Sequence, residues 1–171
     1  IVFTDDVELY VPPSKGRRHV LRVIREILYF QPKGRKTNIP GALHFLNGVT
    51  RRRTVTFLVS DFMATDYENA LRVANKRHDV VAVCVSDPRE NHLPDVGLLS
   101  VRDAETGRET MVNTSNPAIR QEYAKAAAKR TADRDTILRR TRVDSIRVRT
   151  DRPYVDELYR FFRMREKRFV V

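Results

Sequence analysis

Ser60 and Asp61 close an apolar stretch that runs from Thr54 to Val59, and Thr37 stands in a polar loop just ahead of a helical stretch. A carboxylate and a hydroxyl so placed are oxygen donors for a hard cation such as Mg²⁺, which wants octahedral oxygen coordination and tolerates retained waters. Each residue also has a local reading. An Asp after a strand often caps the next helix, although Asp66 is placed for that role instead, and Thr37 can serve as an N-cap or a loop-stabilising hydroxyl. Two ligands are too few for a tight site, so further ones must come from elsewhere.

Other chemistries find no support. The sequence holds no G-x-G-x-x-G and no G-x-x-x-x-G-K-[ST] phosphate loop, and no G-x-S-x-G elbow. His19, His44, His78 and His92 are scattered, with no H-E-x-x-H and no cysteine at zinc spacing. His78 falls at a helix C-terminus, where a histidine suits the dipole, and His44 reads as an ordinary helix residue. A metal-dependent hydrolase would need more carboxylates near Asp61 and a general base, and no convincing set is present. Asp5 and Asp6 end a strand and lie where they could approach the site, but Asp favours turns and a turn is the preferred reading.

The elements that must position these residues alternate in kind. Ile1 to Thr4 ends one strand, and Val7, Leu9 and Val11 alternate as a second that Pro12-Pro13 stops. Gly16 to Phe30 reads as a helix with Val20, Val23, Ile24, Ile27 and Leu28 on one face. A second helix runs from about Ile39 to Val49, with Leu43, Phe45 and Leu46 as core candidates and Pro40 in its first turn. Thr54 to Val59 is a strand, Asp66 to His78 a helix, and Asp79 to Val85 a near-continuous apolar strand of the kind buried on both faces of a parallel sheet. Val96 to Val101 and Glu109 to Val112 flank a turn-like Asp103 to Gly107 and predict a β-hairpin. Asn116 to about Arg140 is a long helix, Asp144 to Thr150 a last strand, and Tyr154 to Met164 a closing helix. The alternation predicts an α/β fold of Rossmann-like kind, with a mostly parallel sheet and helices on both faces. In such sheets ligands bind at the carboxyl ends of the strands. No repeat or linker divides the 171 residues, so one domain is expected.

Composition narrows the class. Hydrophobic residues make up 41%, which excludes wholesale disorder. Cys84, alone of its type, lies inside Val80 to Val85 and reads as a buried structural thiol, which fits a reducing, cytoplasmic setting. No apolar run approaches the roughly 20 residues that span a bilayer. The chain opens on strand-like residues with neither a signal peptide nor an initiator Met, which points to a natural start further upstream. The net charge of +11 gathers in clusters at Lys33 to Lys36, Arg51 to Arg53, Arg139 to Arg142 and Arg163 to Arg168. Such charge attracts nucleic acid or an acidic partner. No stacking aromatics and no helix-turn-helix or zinc-finger spacing accompany it, so a nucleic-acid-binding basic domain is the alternative and not the leading reading.

Several stretches resemble one bacterial family of von Willebrand factor A-like proteins, often encoded beside MoxR-type AAA+ ATPases. These are Val2 to Glu8, Pro12 to Leu21, Thr37 to Leu43 and Phe57 to Phe62. The resemblance continues through Arg77 to Val83, Asp87 to Glu90, Leu93 to Gly97, Thr150-Asp151 and Phe161-Phe162, and so covers essentially the whole chain. It implies a metal-ion-dependent adhesion site at the top of the sheet, assembled from a D-x-S-x-S segment, a later Thr and a strand-end Asp. Thr37 matches the second element and Asp61 the third, with Ser60 and Asn38 orienting the ligands and the loop backbone. No Asp-x-Ser-x-Ser occurs in the sequence, so residues 1–171 are expected to be a single truncated domain without its first strand.

That strand would normally lie mid-sheet. Its loss is expected to leave unpaired edges between the strand ending at Thr4 and the strand Thr54 to Val59, through which the chain would close up or self-associate. The implied function is a metal-ion-dependent protein-binding module and not an enzyme, with Mg²⁺ in the intact domain and weak or no Mg²⁺ binding here. The implied partner is a MoxR-type AAA+ ATPase in a chaperone or assembly role, with no membrane involved.

Overall fold

The computed structural model describes residues 1–102 and 107–169, with side chains through Lys167. β1 (Val2–Phe3) and β2 (Val7–Leu9) form an antiparallel pair, followed by the helices α1 (Arg17–Tyr29) and α2 (Ile39–Val49). Then come β3 (Val55–Ser60), α3 (Glu68–Arg77) and β4 (Asp79–Ser86). A single 3₁₀ turn, Pro88–Glu90, precedes the antiparallel hairpin of β5 (Leu98–Arg102) and β6 (Glu109–Asn113). The expected turn residues Asp103 to Thr106 lie outside the described residues. α4 (Pro117–Thr141), β7 (Asp144–Arg149) and α5 (Val155–Phe169) complete the order. The result is the expected α/β arrangement: a parallel sheet in the order β3-β4-β7, helices on its two faces, and antiparallel hairpins beside it.

β4 is the axis of the molecule. Its residues Val80 to Cys84 are all buried, which an apolar run flanked by strands on both sides requires. Successive side chains point to opposite faces. Val80, Ala82 and Cys84 therefore enter one core with Leu58, Leu71, Ala74, Ile39 and Leu138, drawn from β3 and from α2, α3 and α4. Val81 and Val83 enter a second core with Ile146 and Phe161, beneath α5. Burial pushes the Cys84 thiol up, so it is an inert core group.

Two elements are left short of cover. β3 is hydrogen-bonded to β4 along one edge, and among the described residues no strand occupies its other edge. Its alternate side chains Val55, Phe57 and Val59 stay exposed, although Phe57 meets the Phe162 ring edge-on at 6.2 Å between centroids. α1 forms with the predicted apolar face, but it buries none of its residues. Phe45 and Leu46 of α2 are only partly buried, whereas Leu43 is a full core member.

Two polar features tie the N-terminal ends of the parallel strands. His78 ends α3 and is fully buried, with Nδ1 3.2 Å from the Thr54 hydroxyl and Nε2 without a partner. Burial, aided by Arg77, lowers its pKa, so the residue is a neutral core group and not the dipole-complementing cation its position suggests. Arg165 of α5 reaches under the sheet. Its two terminal nitrogens donate to Asp79 at 2.7 Å each and its Nε donates to Asp144 at 3.0 Å, while the guanidinium lies over the Phe161 ring. This fork joins the first residues of β4 and β7 to the last helix.

Hydrogen bonding from Arg165 holds the Asp79 carboxyl below its usual range. A depressed carboxylate stabilises the fold above its unfolded pKa and loses that contribution as pH falls through the folded one. Arg165→Met removes the guanidinium that Asp79 and Asp144 share and should cost roughly 2 kcal/mol at pH 7, below the range for fully buried pairs because these groups are partly exposed. Urea denaturation of both proteins should show that gap at pH 7 and its shrinkage on acidification below about pH 4, the unfolded Asp value.

Candidate functional site

The chain leaves β3 through Ser60 and Asp61. Asp61 is exposed, and its Oδ1 accepts the Met63 N–H at 3.0 Å and the Ser60 hydroxyl at 3.4 Å. Ser60 Oγ in turn accepts the Phe62 N–H at 3.1 Å. These are the local turns that Asp and Ser favour. They leave Asp61 Oδ2 without a hydrogen bond among the described residues.

The same loop holds two residues in the left-handed region, Phe62 at φ 59° and Asp66 at φ 61°. A bulky residue adopts that conformation only when its surroundings over-determine it. Phe62 is buried and packs edge-on against Tyr67 at 5.6 Å, and burial pushes the Tyr67 hydroxyl up to about 12. Asp66 does not cap α3, contrary to the sequence reading. Tyr67 holds the N-cap position with no side-chain cap, and Glu68 in the first turn complements the dipole instead.

Thr37 belongs to a loop clamped from the β1–β2 hairpin. Glu8 accepts the Lys33 N–H at 2.8 Å and the Gly34 N–H at 2.9 Å, and also takes the Thr4 hydroxyl. Asp5 accepts the N–H groups of Arg35 at 3.3 Å and Lys36 at 3.1 Å. Asn38 donates its side-chain N–H to the Asp5 carbonyl at 2.9 Å and its backbone N–H to the Thr4 carbonyl at 2.8 Å. Asn38 is also the N-cap of α2, its Oδ1 accepting from Gly41 at 2.8 Å, so Thr37 is not the cap. Thr37 is half-buried, and among the described residues no hydrogen bond engages its hydroxyl. The Thr4 hydroxyl and the two clamped amides pull the Glu8 carboxyl below its usual range.

These two loops lie at one end of the fold. A groove between α2 and α3 is lined by Pro40 and Gly41 on one side and by Asp66 on the other, which puts the start of α2 beside the loop that follows β3. A second opening, about 370 Å³, runs from Asp61 over Phe62 and Tyr67 to Arg130 and Asp133 of α4. The carboxyl ends of β4 and β7 are tied at the same end, where the Thr150 hydroxyl donates to Asp87 and lowers its pKa. No hydrogen bond joins Thr37 to Asp61, and no group of three or more His, Cys, Asp or Glu stands ready for a metal among the described residues. Among the described residues, this end of the sheet therefore offers Asp61 Oδ2, the Asp66 carboxylate and the Thr37 hydroxyl without hydrogen bonds.

Sequence reasoning missed the clamp. Glu8 lies between the apolar strand residues Val7 and Leu9, and Asp5 reads as a turn residue. Their partners stand 25 to 31 positions along the chain, beyond any local pattern. The one signal was the pair of acids flanking a two-strand turn ahead of a basic, glycine-containing loop.

The chain belongs to a known protein family: the model described as "Protein of unknown function DUF58" matches residues 1–133. An uncharacterized protein of Mycobacterium tuberculosis H37Rv is 34% identical over 162 residues, which cover 92% of this chain and 50% of that protein. One from Mycobacterium bovis gives the same figures. An uncharacterized protein of Mycobacterium avium is 32% identical over 160 residues, covering 92% of this chain and 94% of that protein. The chain thus spans about half the length of the first two relatives. No solved structure matches.

Gly34 sits where a Cβ would overlap the Thr4 hydroxyl and come within 2.6 Å of Asp5. Gly34→Ala should therefore displace the clamped loop and cost about 1–3 kcal/mol in urea denaturation. Glu8→Gln should speed amide exchange at Lys33 and Gly34. In the wild type the same amides should lose protection only as pH falls below the ordinary Glu range, through the lowered Glu8 value, because a depressed carboxylate stabilises from neutrality downward to that point.

Proposed function

We propose that the protein is a metal-ion-dependent protein-binding module of the von Willebrand factor A-like kind, with Asp61 and Thr37 as Mg²⁺ ligands. The observation that carries this reading is an Asp61 carboxylate oxygen and a Thr37 hydroxyl, both without hydrogen bonds among the described residues, on the loop after β3 and the loop before α2, the start of α2 lying beside Asp66 of the first loop. Both are hard oxygen donors of the type that Mg²⁺ prefers. Ser60 and Asn38 hold the backbone around each of them.

Two protein ligands leave most of an octahedron open. A cation so held stays electrophilic and takes a carboxylate from a partner as a further ligand, which makes recognition metal-dependent. In the longer relatives, the half of the chain outside the matched region is the source of additional ligands. By family resemblance the partner is a MoxR-type AAA+ ATPase in a chaperone or assembly role, and the setting is cytoplasmic. The +11 charge favours an acidic docking face.

Calorimetric titration tests the metal site. The 171 residues alone should bind Mg²⁺ more weakly than millimolar, and a chain extended to the length of the longer relatives should bind it more tightly. Asp61→Ala in the extended chain should abolish the binding heat, and Thr37→Val should weaken affinity at least about tenfold. Mg²⁺ affinity that is unchanged by Asp61→Ala would remove the basis of the proposal.

A further inference from the structure

α1 turns only a narrow side toward the rest of the chain, where His19, Val23 and Glu26 are half-buried, and leaves its apolar stripe bare. Not one of its 13 residues is buried, and Val20, Leu21, Ile24, Ile27 and Leu28 are each about half exposed or more, reaching 75% at Leu28. Their spacing repeats every three and four positions, so they form one continuous stripe. A helix of this length is marginal in water by itself, and an apolar stripe this long on a protein surface marks an interaction site.

The charges say what kind of partner covers it. Arg18, Arg22 and Arg25 follow the same three-and-four spacing and run alongside the stripe. The helix begins with Arg17 and Arg18 and has no acid in its first turn, the wrong polarity for its own dipole. That arrangement weakens the free helix and is relieved by negative charge brought from outside. Half-buried Glu26 pairs with Arg25 at 3.2 Å and Arg22 at 3.9 Å, leaving the helix net positive but not the uniformly cationic face of a membrane-surface helix.

We propose that α1 is a docking helix for a partner protein that presents an amphipathic helix with an apolar stripe flanked by acidic residues. The two helices pack stripe to stripe, with Arg18, Arg22 and Arg25 facing the partner's carboxylates. This site shares no residue with the Asp61 and Thr37 loops and does not depend on a metal.

The test uses the 171-residue chain in EDTA and two synthetic fluorescent peptides. Both carry leucines at every third and fourth position, one with Glu and one with Lys at the remaining sites. Anisotropy should show binding of the Glu peptide and not of the Lys peptide. Leu21→Asp with Ile24→Asp should weaken the Glu peptide at least tenfold, with circular dichroism confirming that the helix persists. Should that pair melt the helix, the reversal Arg18→Glu, Arg22→Glu, Arg25→Glu leaves the stripe intact and should switch preference to the Lys peptide.

Equal binding of both peptides would overturn the proposal, as would a reversal variant that keeps the original preference. So would tighter binding to phosphatidylglycerol vesicles than to the Glu peptide, or self-association that vanishes in the Leu21 and Ile24 variant. Strong amide protection across α1 in a chain of the longer relatives' length, with no partner present, would assign the stripe to an intramolecular contact instead. Loss of Mg²⁺ binding in Asp61→Ala leaves this site unaffected, so the two proposals fail independently.

Discussion

The burial of β4 on both faces is the constraint on which the rest of the fold depends. A strand hydrogen-bonded on both edges and covered on both sides can hold only small or branched apolar side chains, and Val80 to Cys84 meet that demand. Because successive side chains alternate, one strand feeds two cores. The larger core takes α2, α3 and α4 and the smaller takes α5. Arg165 then closes the lower end by forking between Asp79 and Asp144, so the last helix is held by charge at one end and by Phe161 in the core.

The upper end is organised by polar groups that reach across loops. Glu8 and Asp5 accept four backbone N–H groups from residues 33 to 36, and Asn38 both caps α2 and holds the hairpin carbonyl of Asp5. Asp87 and Thr150 do similar work between the loops after β4 and β7. Backbone amides in loops must find acceptors, and here carboxylates supply them. The loop before α2 is held in this way, while the loop after β3 is held by its own Ser60 and Asp61 turns.

The positive charge is less a single surface than several different uses of arginine. Arg165, Arg147, Arg149 and Arg160 are paired with acids, and Arg139 and Arg140 stand in the last turn of α4. On α1, Arg22 and Arg25 share Glu26 and, with Arg18, border an apolar stripe left bare among the described residues. Clusters counted along the sequence therefore overstate the charge open to a partner in some places and miss its setting in others.

Order and type of elements were legible in the sequence because they follow from local periodicity. The unbroken apolar run at Val80 to Val85 marks a central parallel strand, and the three-and-four spacing in residues 20 to 28 marks a helix. The positions of Asp61 at a strand end and Thr37 in the loop before a helix were legible too. Tertiary structure alone decided which apolar faces are covered, because burial depends on neighbours distant in sequence: Leu43 is core while the equally apolar Leu28 is bare. It decided that His78 is neutral, since desolvation outweighs its place at a helix end. It also decided that Glu8 and Asp5 clamp a loop some 30 residues away, because a hydrogen bond between distant segments leaves no periodic trace in the chain.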